Sequence, residues 1–305
     1  MIAAVLVAYL QIQTLPDRPR LPAADVSLNY RPVKLRSAGG PLRLAGAWEL
    51  AASDPRLGGL SGLALDGGRF LAVGDRGAII RFDMPFASRP RIWLADLSEG
   101  PGNWGRKWAR DAESLALDPR GRGWWVGYEQ RHSLWLYDDR FDRALASVDL
   151  RGREWGDNRG AEGLLAEADS LLVTAENGRD AIAVGGGGIE RLDLDAGAEV
   201  ADAALAPDGS AWLLLRSKGW RGISQSIAPL VKVGRGYRAG PGWPLPRAAF
   251  DNYEGMAIAP LPGRGWRFWL VTDDGHRIMA RTLLVALDLS NPPNTRKARR
   301  PAPGS

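Results

Sequence analysis

The sequence predicts an all-β propeller. Three observations predict it: a short acidic motif that recurs along the chain, an apolar run that follows each copy at hairpin distance, and a composition weighted toward turn formers. The 305 residues include 38 Gly, 21 Pro and 13 Trp, which suits many short strands joined by tight turns rather than long helices.

The motif copies are residues 59–65 (GLSGLAL), 111–117 (DAESLAL), 160–164 (GAEGL) and 252–258 (NYEGMAI), with a degenerate copy at 200–205 (VADAAL). Taking Ser61, Glu113, Glu162, Ala201 and Glu254 as equivalent gives intervals of 52, 49, 39 and 53 residues. A period of about 50 suits a four-stranded propeller blade. The following apolar runs are 70–75 (FLAVGD), 124–129 (WWVGYE), 171–176 (LLVTAE), 212–216 (WLLLR) and 268–274 (FWLVTDD).

Paired residues of an antiparallel hairpin have a constant sum. Pairing Ser61 with Asp75, Glu113 with Glu129, Glu162 with Glu176, Ala201 with Arg216 and Glu254 with Asp274 places every centre in a Gly, Asp or Arg turn, as a hairpin requires. Outer strands follow at 78–82 and 91–97, then at 133–137 and 144–150. After the last hairpin only one strong strand remains, 282–289, while a spare strand at 42–50 precedes the first blade. Ring closure by the N-terminal strand solves both problems and removes a sheet edge. The count is about five four-stranded blades. A sixth stays open, with 181–195 or 216–243 as its place.

The ends are different in kind. Residues 1–12 (MIAAVLVAYLQI) form an apolar run shorter than the 20 or so residues of a membrane-spanning helix, and like the apolar part of a secretory signal without its basic leader. Pro16, Pro19 and Pro22 mark a linker. Residues 1–24 are therefore expected to be a signal-like or tethering segment and 25–290 a single propeller domain. Residues 291–305, with Arg296, Lys297, Arg299 and Arg300 among Pro and Asn, are expected to be a disordered basic tail. That tail accounts for much of the net charge of +5. The remaining basic residues form no recognised nucleic-acid motif, so no nucleic-acid partner is expected. With no cysteine, disulfides, zinc-thiolate sites and thiol catalysis are excluded.

Residues that begin the first strand of a blade and end the second lie at one end of it. Asp75, Glu113, Glu129, Glu162, Glu176, Glu254, Asp273 and Asp274 are therefore expected around one mouth. Crowded carboxylates repel and persist only if protonated, paired with cations or bound to metal. Two readings stay open. The acids are structural crossings between blades, or the mouth is functional. In the functional reading Glu113, Glu162 and Glu254 are catalytic, and Asp75, Glu129, Glu176, Asp273 and Asp274 hold a hard cation such as Ca²⁺. Arg76, Arg110, Arg131, Arg159, Lys218 and His276 then take a small anionic ligand or substrate. The run Gly185–Gly188 lacks the lysine of a phosphate-binding loop and reads as a turn.

These motifs together resemble the bacterial phytase-like family described as "esterase-like activity of phytase". The resemblance rests on 59–63, on 111–113 with Glu129, on 158–162 with Glu176, and on 252–255 followed by Asp273, Asp274 and 281–284. It spans roughly residues 40–290 and implies an exported, propeller-like protein. The family usually follows the Asp-Asp pair with Asn and an aromatic residue, where this chain has Gly275 and His276.

The expected function is a hydrolase-like propeller acting on a phosphate or carboxylate ester at the acidic mouth, with Ca²⁺ as the candidate cofactor. No Ser-His pair stands out, so water is the expected nucleophile. The alternative is a non-catalytic ligand- or protein-binding propeller of the cell envelope. Either is expected to be monomeric and periplasmic or otherwise exported, with a membrane tether at the N-terminus as one form.

Overall fold

The computed structural model describes residues 19–102, 109–152, 160–220, 222–247, 252–263, 265–275 and 280–292. They form strands throughout, with no α-helix among them. The chain opens with β1 (Ala24–Ser27), β2 (Asn29–Pro32) and β3 (Arg43–Ala51). Next come β4 (Leu60–Asp66), β5 (Arg69–Gly74), β6 (Ala78–Phe82) and β7 (Arg91–Asp96). A second unit is β8 (Ala112–Leu117), β9 (Trp124–Tyr128), β10 (Ser133–Tyr137) and β11 (Ala144–Asp149). A third is β12 (Ala161–Ala166), β13 (Ser170–Ala175), β14 (Asp180–Gly185) and β15 (Gly188–Asp195). Then follow β16 (Glu199–Leu205), β17 (Ala211–Gly219), β18 (Gly222–Val233), β19 (Gly236–Ala239) and β20 (Trp243–Pro244). The chain ends with β21 (Asn252–Pro260), β22 (Trp266–Asp273) and β23 (Leu283–Leu289).

Each unit is an antiparallel meander. A short parallel contact, Leu194 with Tyr237 and Asp195 with Arg238, joins the β12–β15 and β16–β20 units into one nine-stranded sheet. The segments 181–195 and 216–243 supply outer strands of those two units. Ring closure occurs as the sequence implies: β3 pairs antiparallel with β23, Leu284 opposite Trp48. The N-terminal segment does more than close the ring. β2 adds to β3 and β1 adds to β7, so a strap from Leu21 to Pro32 binds two neighbouring sheets. The linker expected up to residue 24 thus ends earlier. Leu21 is held by Asp96, and Ala24 already lies in β1.

The inner strands β4, β8, β12, β16 and β21 each lie beside the next, and β21 returns to β4. Apolar clusters occupy the spaces between consecutive units. Phe70, Phe82 and Trp269 pack between the first and last sheets, and Trp212 packs against Trp266 and Phe268. Sheets buried on both faces explain the continuous apolar runs of β9 and β23, which show no in-out alternation.

The register differs from the simple hairpin sums in an instructive way. Every first hairpin contains a β-bulge: at Ser61-Gly62 in β4, Glu113 in β8, Glu162 in β12, Ala201 in β16 and Glu254 in β21. The acids are therefore not cross-strand partners. Ala112 pairs with Tyr128 and Ala161 with Ala175, while Glu129 and Glu176 lie just past the strand ends. Asn252 pairs with Asp273, so Asp274, the expected partner of Glu254, lies past the end of β22.

The residue after each bulge acid lies where inner strands almost touch. A Cβ on Gly62 would come 2.8 Å from the amide nitrogen of Leu115, and one on Gly255 would overlap the carbonyl oxygen of Ser61. Gly255→Ala is therefore expected to cost about 2 kcal/mol through forced separation of the inner strands. Gly187→Ala, in open space at the outer turn, should stay within about 0.5 kcal/mol of the parent. Urea unfolding of both variants checks this.

Candidate functional site

The bulges decide where the acids go. A bulge residue is left out of the ladder and its side chain is re-aimed, so each first strand points its bulge residue into the space above the ring. The second strand delivers its last residue to the same space. Of the ten positions so defined, nine line one pocket of about 110 Å³: Ser61, Asp75, Glu113, Glu129, Glu162, Glu176, Arg216, Glu254 and Asp273. The tenth, Ala201, carries no polar group. Seven carboxylates thus share the pocket with a single guanidinium.

Arg216 is the organising cation. Its side chain is 11% exposed and bonds Glu176 at 2.6 Å, Glu199 at 3.2 Å and Glu254. Burial works against its charge, but Glu254, Glu176, Glu162 and Glu199 outweigh this and hold it firmly protonated. Lys218 bonds Glu199 at 2.9 Å and reaches Glu176 at 4.0 Å. Burial pushes Glu199 up, yet Lys218 and Arg216 outweigh it and the carboxyl titrates low.

The other acids lack that relief. Burial, then the charges of Glu113 and Glu129, push Glu162 well above the carboxylate range. Glu254 shows competing influences. Burial raises its pKa and Arg216 lowers it, and Asp273, Glu113 and Glu176 tip the balance to about 8. Glu254 therefore favours its protonated form at neutral pH, and Glu162 is driven in the same direction. Ligand oxygens of Asp111, Glu113 and Glu129 lie within 4.8 Å of one another, as do those of Glu129, Glu162 and Glu176. A hard oxygen-seeking cation suits either set.

A further buried acid, outside the pocket lining, is Asp202, which follows the bulge in β16. It is 1% exposed and accepts amide hydrogens from Ala203 at 2.7 Å and Met256 at 2.6 Å, and one from Leu63. It ties three inner strands together. Burial, only partly offset by these amides, raises its pKa well above the usual range. The crossing role expected of the acids falls here, and on Ser114, whose hydroxyl donates to the Ala161 carbonyl.

The predicted basic rim is only partly at the mouth. Lys218 belongs to it. Arg110 is buried against the Tyr128 hydroxyl. Arg131 lines a separate cleft of about 290 Å³ with Trp135 and Arg151 on the outer side of the β8–β11 unit. Arg76 follows Asp75 without lining the pocket. Arg159 and His276 lie outside the described residues. Asp274 accepts the Gly59 amide at 3.0 Å and the Thr282 hydroxyl at 2.8 Å, clamping the β22–β23 loop rather than lining the pocket. Ser61, Arg216, Glu199 and Asp202 were not among the expected site residues. The signal for Arg216 was present: it occupies the column otherwise filled by Asp75, Glu129, Glu176 and Asp273, in the one repeat whose first acid is replaced by Ala201.

The fold and this site define a class: β-propeller-like proteins whose inner-strand bulges focus carboxylates into one mouth. The chain belongs to the phytase-like family, "esterase-like activity of phytase", whose model matches residues 55–276. No curated protein matches it significantly in sequence. Among solved structures it is similar in fold to the glutaminyl cyclase of Myxococcus xanthus, at 12% identity and a TM-score of 0.50, covering 82% of this chain and 97% of that one. The Xanthomonas campestris protein XC5397, described as a gluconolactonase, matches at 14% identity and a TM-score of 0.47, covering 90% of this chain and 99% of that one.

A raised carboxyl pKa makes folding less favourable as pH rises. Below about 4.5 Glu254 is protonated folded or unfolded; between there and about 8 only the unfolded chain releases the proton. Thermal melts are therefore expected to show a higher Tm at pH 5.5 than at pH 8.5, with Glu254→Gln flattening the decline. Arg216→Gln, which strips Glu176 and Glu199 of their cation and Glu254 of a hydrogen-bond donor, should cost about 3 kcal/mol at neutral pH.

Proposed function

We propose that the chain is a hydrolase-like, five-bladed propeller that cleaves an ester at the acidic mouth with the help of a hard cation such as Ca²⁺. The observation that carries this reading is the pocket itself, in which seven carboxylates face one guanidinium. That imbalance is relieved by protonating some acids and by binding a cation on the others, and ester hydrolysis needs both a proton donor and an electrophile. The family description supports an ester as substrate.

The roles follow from the environments. Glu254, protonated at neutral pH, donates to the leaving alkoxide oxygen. Glu113, beside Glu129 and Asp111, accepts the proton of the attacking water. Glu162 is protonated and offers a hydrogen bond to the oxygen on which charge develops. Water adds to the carbonyl or phosphoryl centre, the ester C–O or P–O bond breaks, and an acid and an alcohol leave. A cation held by Asp111, Glu113 and Glu129 would supply Lewis acidity and screen an anionic substrate. An anionic ester depends on that screening, because Arg216 is saturated by Glu176, Glu199 and Glu254. The monomeric state and export through residues 1–24 belong to the same reading.

Melts in EDTA and in millimolar calcium, run beside assays on nitrophenyl acetate, nitrophenyl phosphate and simple lactones, test this. Calcium at a hundredfold excess over Kd should add about 2.7 kcal/mol of stability, and Glu129→Gln, which removes the carboxylate common to both candidate groups, should lose most of it. Hydrolysis should fall at least tenfold in Glu254→Gln. No calcium shift and no turnover on any ester would leave a binding propeller instead.

A further inference from the structure

The β17–β18 hairpin breaks the pattern of the mouth. In the units before it, the second and third strands are joined by residues 75–77, 129–132 and 176–179, so the chain turns back at the acid. Here the ladder continues past Arg216 through Ser217–Ser224 and Lys218–Ile223 to Gly219–Gly222. That is three residues, or about 10 Å, beyond the pocket wall. Both arms are exposed, Trp220 at the tip is 89% exposed and Ile223 is 48% exposed. The base is held firmly. Gln225 bonds the backbone of Tyr253 in both directions, at 2.7 and 2.8 Å, and Arg216 is pinned by three carboxylates. A fixed arm therefore carries Lys218, Gly219 and Trp220 on one side and Gly222 and Ile223 on the other past the mouth.

A second, independent observation concerns where the N-terminal segment enters. The Leu21 amide donates to Asp96, which pairs with Ala78 at the mouth end of β6. The Leu21 carbonyl accepts from Arg56, in the loop that carries the chain from β3 to β4 at that same end. Eight residues separate Leu21 from the apolar run 1–12, a reach of about 30 Å at most. The turns at this end carry Arg76 and the exposed Arg179, and Lys218 stands on the hairpin.

We propose that the mouth face docks on a phospholipid bilayer, with the apolar segment 1–12 as tether and the Trp220 hairpin as a second, interfacial contact. Indole rings favour the headgroup region, and basic residues near it gain from anionic lipid. The mouth would then open toward the membrane surface and receive its ligand from there. This orientation is independent of whether the mouth hydrolyses an ester.

The chain has no cysteine, so single labels report position cleanly. Full-length Ser224→Cys, in the hairpin, and Ala168→Cys, at the opposite turn, are labelled with an environment-sensitive fluorophore. Each is mixed with phosphatidylcholine–phosphatidylglycerol vesicles, with and without a bilayer-embedded quencher. The hairpin label should shift to the blue and be quenched, the label at 168 should do neither, and Trp220→Ala in the Ala168→Cys background should lower vesicle binding several-fold. Failure of the chain to bind vesicles would overturn the proposal. So would equal quenching at both positions, or bound chain with the hairpin label still in water, as expected if the hairpin instead contacts a protein.

Discussion

Gly62 and Gly255 have no room for a methyl group, because the inner strands approach one another across the ring to within ordinary backbone contact. That closeness is the constraint from which the mouth follows. Strands so near the axis cannot keep side chains on their inner face and also stay in register, so each first hairpin spends one residue on a bulge. The bulge residue leaves the ladder and has one place to go, the widening space above the constriction. A repeated bulge therefore becomes a ring of convergent side chains. The carboxylates meet because the backbone geometry that places them is copied.

Convergence creates an electrostatic problem that the molecule solves unevenly. Arg216 neutralises the side of the pocket formed by Glu176, Glu199 and Glu254. The opposite side, with Glu113, Glu129 and Asp111, has its ligand oxygens grouped within metal-binding reach. Glu162 lies between them, deeply buried and driven toward its neutral form. One mouth thus offers a paired half, a proton-bearing centre and an acidic half that favours an added cation. That division is more useful for chemistry than a uniform ring, in which repulsion would shift every group alike.

Much of this was legible in the sequence. The strand pairs, the closing strand and the convergence of Glu113, Glu129, Glu162, Glu176 and Glu254 all follow from a repeated motif and its spacing. What the motif could not reveal was the bulge, since a hairpin sum tolerates a shift of a residue or two. Asp274, separated from Asp273 by a single position, was therefore grouped with the mouth, whereas its carboxyl clamps Gly59 and Thr282. Proximity in sequence to the acids was likewise a poor guide for Arg110 and Arg131. A side chain just outside a strand can turn under a loop or over an outer edge, and only tertiary packing decides which.

The β16–β20 unit gathers the departures from the repeat. It has Ala201 where β8, β12 and β21 place a glutamate, Arg216 where other second strands end in a carboxylate, and Asp202 where β4, β12 and β21 have glycine. It also extends its second hairpin past the mouth. These departures depend on one another. With Ala201 in place of an acid, Arg216 on the paired strand has room to serve Glu176, Glu199 and Glu254. The guanidinium then draws Glu176 and Glu254 of the neighbouring sheets toward this unit and fixes the foot of the hairpin. Asp202 ties three inner strands together by accepting their amides. A repeat protein gains a directional site only where its symmetry is broken, and here the breaks fall in a single unit.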